Sequence, residues 1–183
     1  MLAFGGGLAY ASGMLTVMIE TRNHQDALAR TLASLVSGAV EGIVREVLVH
    51  DRGSTDQTAA VADHAGCVMV PAGDLLGGVR RAKGDWLLFV EPGARLSEGW
   101  VEAVFAHVGH ATTPARFLRA RAPDSGFLAR MMTRGRPLSE GLLVSKRQAL
   151  AKLKPGDEAE ALARRLSSRR IGAEIMPARR DKA

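Results

Sequence analysis

The chain has 183 residues, of which 46% are hydrophobic and 24% are charged, so its composition is that of a globular protein and excludes intrinsic disorder as its class. Its formal net charge is +6 and its isoelectric point is about 10.2, which favours an anionic partner such as a nucleotide phosphate, a nucleic acid or an acidic membrane surface. One cysteine, Cys67, excludes an internal disulfide and indicates a reducing compartment, and its apolar neighbours predict a buried structural thiol.

The first 13 residues form an apolar, glycine-rich stretch that lacks the basic start of a secretory signal. We expect residues 1–13 to be a loose tail, or the result of an assigned start upstream of Met14, with a secretory signal as the alternative. No apolar run in the sequence is long enough to span a bilayer. The predicted location is the cytoplasm, with peripheral membrane contact as an option.

Apolar runs and helical patterns alternate through the first half of the chain. Short apolar, partly β-branched runs predict strands at 15–19, 67–70 and 86–90, and a further strand is predicted at 44–49. Helices are predicted between them, from a cap at Asn23 to Gly38, from Ser54 to residue 65, and at 79–83. Ser54 and Gln57 fit a capping box for the second helix. This alternation predicts parallel βαβ units with right-handed crossovers.

The second half of the chain has weaker periodicity. Its patterns predict, in order, a helix at 98–108 capped by Ser97, a strand at 116–120, a helix at 125–134, a strand at 141–145, a helix at 157–170 and a strand at 173–176. We find no linker-like change of composition, so we expect residues 14–183 to form one domain. The expected fold class is α/β, with a mainly parallel sheet flanked by helices.

Polar residues follow three of the predicted strands, at 20–23, 50–53 and 91–93. Open α/β sheets bind ligands outside the carboxyl ends of their strands. These three stretches are therefore the positions where we expect a binding site, with Asp51 and Glu91 facing one cleft.

Several segments of the chain follow one another in an informative order. They are VMIETRN (17–23), LARTLASL (28–35), VLVHDRGSTDQT (47–58), AKGDWLLFV (82–90), GLLVSK (141–146) and LARRL (162–166). In this order they resemble the V-I-I-P-T-Y-N, L-x-x-T-L-x-S-L, D-D-G-S-T-D-G-T, A-x-G-D-x-L-L-F-L, G-x-F-x-x-R and E-D-x-x-L-x-x-R-L elements of family 2 glycosyltransferases. The Gly-Ser-Thr-Asp stretch is the most specific of these segments.

The resemblance implies a single Rossmann-like domain of the GT-A type, with a nucleotide-binding half at 14–96 and an acceptor-side half at 97–183. It also implies transfer of a sugar from a nucleotide-diphosphate sugar to an acceptor hydroxyl, usually with Mg²⁺ or Mn²⁺. Thr21 and Asn23 fall on the loop beside the nucleotide base, and Asp51 falls on the aspartate that contacts the nucleoside. A carboxylate at a strand end can accept a hydrogen bond from a base N–H or a ribose hydroxyl.

The stretch Glu91-Pro92-Gly93 departs from the family pattern. The family places D-x-D here, and those two carboxylates bind the cation that bridges the phosphates. Glu91 is the candidate metal ligand in this chain, but Gly93 has no side chain. Two interpretations stay open: weak Mg²⁺ or Mn²⁺ binding by Glu91 that depends on the nucleotide, or a plain turn built by Pro92 and Gly93.

The later E-D element, whose aspartate is the general base in the family, aligns here with Glu158 and Ala159. Asp157, Glu158 and Glu160 are the neighbouring acids that could substitute for this aspartate, and Asp157 and Glu158 are the candidate catalytic residues. Gly77, in a glycine pair, is a candidate for close approach to a phosphate, with an ordinary turn as the alternative.

Three functions are compatible with the residues. The first is a glycosyltransferase, in cell-envelope polysaccharide or glycolipid synthesis as one option, and the second is a degenerate relative that binds a nucleotide or a partner without turnover. The third is a basic nucleic-acid-binding protein, although an aromatic content of 4% argues against base stacking. The C-terminal region is basic, and we interpret it as a solvated face, as a contact for an anionic membrane or lipid-phosphate acceptor, or as a contact for nucleic acid. Its arginines are Arg164, Arg165, Arg169, Arg170, Arg179 and Arg180.

Overall fold

The computed structural model describes residues 14–120 and 136–178. Its strands are β1 (Leu15–Thr21), β2 (Val44–Asp51), β3 (Val68–Val70), β4 (Trp86–Val90), β5 (Arg95–Leu96), β6 (Ala115–Arg119), β7 (Leu142–Ser145) and β8 (Arg169–Met176). Its α-helices are α1 (Gln25–Val40), α2 (Thr58–His64), α3 (Leu75–Arg81), α4 (Trp100–His110), α5 (Lys146–Lys152) and α6 (Ala159–Arg165), and a 3₁₀ helix covers Pro137–Glu140. The fold class is α/β, as the sequence predicted.

All eight strands of the described residues join one mixed sheet in the order β3-β2-β1-β4-β7-β6-β8-β5. The first four strands are parallel to one another, as the alternating pattern predicted, and β7 pairs with β4 in the antiparallel direction. Because β1 lies between β2 and β4, the residues that follow β2 and β4 lie at the same edge of the sheet. Asp51 and Glu91 are thus on one edge, two strands apart.

Two apolar layers cover the two faces of the sheet. Alternate residues of β1 enter different layers, since Val17 packs with α1, α2 and α4 while Met18 packs with α3, α5 and α6. Trp100 is the largest buried side chain of the first layer, and Phe89 is the largest of the second. This two-sided burial explains why the central strands are apolar runs without alternation.

The capping predictions for the first two helices were wrong. Asn23 has a φ of +54° and precedes α1 without capping it. Its Oδ1 accepts a hydrogen bond of 2.7 Å from the N–H of Thr55, and its own N–H donates to Ser54 Oγ at 2.8 Å. Ser54 therefore bonds to another loop, and α2 begins only at Thr58. Gly38, the expected end of α1, lies inside that helix.

Other boundaries also differ from the predictions. Ser97 does not cap α4, because its Oγ donates to the carbonyl oxygen of Glu174 at 2.8 Å. The helix expected at 157–170 ends at Arg165, since the chain then enters β8 and pairs with β6. The short helix α5 was not predicted, and the helix expected at 125–134 lies outside the described residues.

Candidate functional site

The carboxyl ends of β1 and β2 place polar side chains on both sides of the sheet. Glu20 pairs in register with His50, and Thr21 pairs with Asp51. Because side chains alternate along a strand, Glu20 and His50 point toward α6 whereas Asp51 points toward the loop before α2. The predicted site residues other than Gly77 and Glu91 divide between two neighbouring groups.

The first group joins the loops after β1 and β2. Asp51 Oδ1 accepts hydrogen bonds from Ser54, at 3.1 Å from its N–H and 2.6 Å from its hydroxyl. Ser54 Oγ in turn accepts from the N–H of Asn23, and Thr21, the last residue of β1, is buried. Asp51 thus holds the shape of the loop pair that the resemblance assigns to the nucleoside.

The second group lines a cleft of about 230 Å³ beside the ends of β1 and β2. The structure brings the two candidate catalytic residues, Asp157 and Glu158, to the rim of this cleft from a distant part of the chain. The other lining residues are Glu20, His50, Arg52, Ala72, Gly73 and Gly156.

Charged groups in the cleft are linked in a chain. Arg52 Nη2 lies 2.7 Å from Glu158 Oε1, and Arg52 Nε lies 3.6 Å from Glu20 Oε1. The N–H of Ala159 donates to Glu20 Oε2 at 2.9 Å. Burial acts to raise the pKa of Glu20, but His50, the Ala159 N–H and Arg52 outweigh it and hold that pKa below its ordinary value. Glu20 is therefore a carboxylate at neutral pH.

His50 is a site residue to which the sequence assigned no role. Its side chain is 4% exposed, its Nδ1 lies 3.7 Å from Glu20 Oε1, and neither ring nitrogen makes a hydrogen bond within the described part of the chain. Buried polar atoms usually have a partner, so this imidazole, which lines the cleft, is suited to a ligand group. The sequence signal that could have identified His50 as a site residue was its position directly before Asp51.

The two candidate bases differ in their surroundings. Asp157 is bound through both carboxylate oxygens by Arg165, which lowers its pKa to about 2, and it also accepts from the N–H of Lys154. Glu158 is half exposed to the cleft and contacts Arg52. A carboxylate with so low a pKa is a weak base, so Glu158 fits the role better than Asp157.

The stretch after β4 is a hydrogen-bonded turn. The N–H of Ala94 donates to the carbonyl oxygen of Glu91 at 3.0 Å, Pro92 is the second residue, and Gly93 has a φ of +93°. This is the arrangement of a type II turn. Thr31 Oγ1 fixes the turn, because it accepts from the N–H of Gly93 at 2.8 Å and donates to the carbonyl oxygen of Ala94 at 2.8 Å.

The residues around this turn do not fit a two-carboxylate metal site. Glu91 Oε1 lies 2.6 Å from Arg136 Nη2, so this carboxylate is already paired with a guanidinium of the protein. Within residues 14–120 and 136–178, we find no group of three or more His, Cys, Asp or Glu side chains placed to hold a metal ion. The role of Glu91 as a metal ligand therefore stays a prediction.

Gly77 lies in the first turn of α3, where its N–H donates to Asp74 Oδ1 at 2.8 Å. That N–H is thus already engaged by the helix cap, and a contact with phosphate stays a prediction. In the basic C-terminal region, Arg164, Arg165 and Arg170 pair with acidic side chains, whereas Arg179 and Arg180 lie outside the described residues. No helix among the described residues is both long and apolar enough to cross a membrane.

The fold and this edge-of-sheet site define a GT-A-like α/β protein. The sequence model of the family described as Glycosyl transferase family 2 matches residues 16–141, and the chain belongs to this family. The resemblance seen in the sequence is thereby confirmed. A search of curated protein sequences found no match.

Solved structures support the same fold. Glucosyl-3-phosphoglycerate synthase from Mycobacterium tuberculosis, with Mn²⁺, uridine diphosphate and phosphoglyceric acid, is 20% identical with a TM-score of 0.66, over 94% of this chain and 72% of that chain. Its complex with Mn²⁺, uridine diphosphate and glucosyl-3-phosphoglycerate is 18% identical with a TM-score of 0.62, over 94% of this chain and 74% of that chain. A structure described as a mycobacterial protein is 18% identical with a TM-score of 0.64, over 93% of this chain and 69% of that chain. At these identities the likeness shows the fold.

Proposed function

We propose that this protein is a glycosyltransferase that transfers a sugar from a nucleotide-diphosphate sugar to an acceptor hydroxyl. The observation that carries the proposal is the contact of 2.7 Å between Arg52 and Glu158. Arg52 directly follows Asp51, the candidate for nucleoside binding, and Glu158 is the better placed candidate base. This ion pair joins the end of β2 to the start of α6, which supports the proposal that Asp51 and Glu158 act in one site.

The proposed reaction is a single displacement. The acceptor oxygen forms a bond to the anomeric carbon of the sugar, and its proton passes to the Glu158 carboxylate. The bond between the anomeric carbon and the β-phosphate oxygen breaks, and the nucleoside diphosphate leaves with that electron pair. General base catalysis of this kind contributes about 10²–10⁴-fold in rate.

The solved relative suggests which donor to test first. Glucosyl-3-phosphoglycerate synthase from Mycobacterium tuberculosis was crystallised with Mn²⁺ and uridine-diphosphate-glucose, and also with phosphoglyceric acid. We propose a uridine-diphosphate sugar as the donor, and as acceptor either a small phosphorylated acid or an intermediate of envelope polysaccharide or glycolipid synthesis. The acceptor is to be found by screening.

The test is turnover of a donor panel with candidate acceptors, followed by release of nucleoside diphosphate. We expect Glu158→Gln to lower kcat by about a hundredfold or more, with donor affinity within about twofold of wild type. Asp157→Asn is the matched neighbour, and its kcat should fall much less. Equal losses in both variants would contradict the assignment of the base to Glu158.

One observation favours a second function, a relative that binds a nucleotide without turnover. The carboxylate expected to bind metal is paired with Arg136, and the second carboxylate of the motif is absent at Gly93. Donor binding without any release of nucleoside diphosphate across the panel would support that function over transfer.

A further inference from the structure

The buried carboxylate of Glu91 lies against a cation that belongs to the protein itself. Its side chain is 9% exposed, and the 2.6 Å contact with Arg136 Nη2 compensates its charge. A buried carboxylate needs such a partner, because removal of its hydration is costly. The side chain of Arg136 is 43% exposed, so the guanidinium also reaches solvent.

The backbone at position 93 disfavours the second carboxylate of a metal motif. Gly93 has a φ of +93°, which L side chains rarely adopt, and a Cβ there would lie 3.3 Å from the Cβ of Ala178 and 3.4 Å from that of Ala27. The type II turn thus depends on glycine. A conventional two-carboxylate site is disfavoured by the local geometry as well as by the sequence.

Arg136 is held in place by its backbone. Its carbonyl oxygen accepts hydrogen bonds from Ser139, at 3.1 Å from the N–H and 2.7 Å from the hydroxyl. The next turn is fixed to α6, because the N–H of Leu138 donates to Glu160 Oε2 at 3.1 Å. Arg136 is therefore positioned between the end of β4 and the helix that carries Glu158 at its start.

The charges of the two arrangements match. A divalent cation with two carboxylates sums to zero, and so does one guanidinium with one carboxylate. A guanidinium has five N–H donors in a planar fork that fits phosphate oxygens, so a contact with Glu91 leaves donors for a second anion. Arg136 can thus place positive charge beside a diphosphate, as a metal ion does in the family.

We propose that Arg136 binds the diphosphate of the donor, and that Glu91 orients Arg136 in place of binding a divalent cation. Donor binding is then independent of metal. This inference rests on the proposed function, since it requires a nucleotide-diphosphate ligand at this edge of the sheet.

The test is titration calorimetry with uridine diphosphate and guanosine diphosphate, in EDTA and then with Mn²⁺. The double variant Glu91→Gln/Arg136→Ala removes both charges, so that it leaves no buried carboxylate without its partner. Arg136→Lys keeps the charge but loses the planar fork. Arg45→Ala, at the opposite end of β2, is a matched control because it removes one exposed arginine, and circular dichroism checks that each variant folds.

We expect wild type to bind one of the two nucleotides in EDTA, with Mn²⁺ changing Kd by less than about threefold. The double variant should weaken this binding about 10- to 100-fold, as expected for lost hydrogen bonds to a charged group. Arg136→Lys should lie between wild type and the double variant, and Arg45→Ala should remain within about twofold of wild type.

Binding that appears only with Mn²⁺ would overturn this inference and leave the proposed function standing. Metal-free binding that the double variant retains would also overturn it, because Arg136 would then have no part in binding. Failure of both nucleotides to bind under either condition would overturn this inference together with the uridine-diphosphate donor.

Discussion

The N–H of Ala159 donates a hydrogen bond of 2.9 Å to Glu20 Oε2, and the two residues are 139 positions apart in the chain. The bond attaches the start of α6 to the end of β1. It thereby fixes Glu158, the residue directly before Ala159, beside the cleft. A single, partly buried carboxylate thus organises the edge at which we place the chemistry.

Glu20 should make the stability of the protein dependent on pH. Its pKa in the folded state lies below the ordinary value of 4.5, because His50, Ala159 and Arg52 together outweigh the effect of burial. The stabilisation is present above about pH 4.5 and is lost as the pH falls through the folded-state value. Glu20→Gln should lower the free energy of unfolding by about 1–3 kcal/mol at pH 7.

Thermal or urea unfolding from pH 7 to pH 3 measures this effect. The difference between wild type and Glu20→Gln should shrink below pH 4.5, and Glu98→Gln, which changes an exposed glutamate, is the control. A difference that stays constant down to pH 3 would show that ionised Glu20 is not the stabilising species.

Asp51 should contribute to nucleotide affinity. Asp51→Ala should weaken binding of uridine or guanosine diphosphate by about 1–3 kcal/mol, the cost of an unmet hydrogen-bonding partner. Asp51→Asn distinguishes a contact with the ligand from support of the loop, because the loop is kept when the amide oxygen still accepts from Ser54. Calorimetry on both variants, with Ser54→Ala as the control for the loop, checks this. Wild-type affinity in Asp51→Asn would argue against a contact between the carboxylate and the nucleoside.

Gly38 should be required by the packing of α1 on α4. A Cβ at this position would lie 2.5 Å from the ring of Trp100 and 2.9 Å from Val44 Cγ2. Gly38→Ala should therefore destabilise the protein by about 1–3 kcal/mol through overpacking, despite the better helix propensity of alanine.

Gly109→Ala is the matched control, because Gly109 is an exposed helical glycine where a Cβ would meet nothing within 4 Å beyond the backbone of its own helix. It should stabilise the protein by up to about 1 kcal/mol. Urea denaturation of both variants measures the contrast. A stabilised Gly38→Ala would mean that α1 shifts away from Trp100 at little cost.

Cys67 should react slowly with electrophiles. It is half-buried, and burial raises the pKa of its thiol from 9.0 to about 11, so little thiolate exists at pH 8. Alkylation by iodoacetamide, followed by mass spectrometry, should be roughly tenfold or more slower in the folded protein than in urea. Equal rates in the two states would contradict the pKa shift.

Local patterns in the sequence determined much of the first half of the fold. The apolar runs at 15–19 and 86–90 predicted β1 and β4, because a strand buried on both faces is apolar along most of its length. The segment 44–49 predicted β2. The Gly-Ser-Thr-Asp stretch carried the resemblance to the family for a similar reason, since its residues are neighbours in the chain.

Tertiary structure decided how the polar side chains are used. Asn23 and Ser54 have the character of helix caps, yet they bond to each other's loops across 31 and 32 positions. The sequence cannot show which of two available partners such a side chain takes. The pairing of Arg136 with Glu91 likewise joins residues from distant elements, with no local pattern to reveal it. Apolar periodicity predicts strands because burial acts on every residue of a run, whereas a charge pair is fixed only when the sheet brings its two members together.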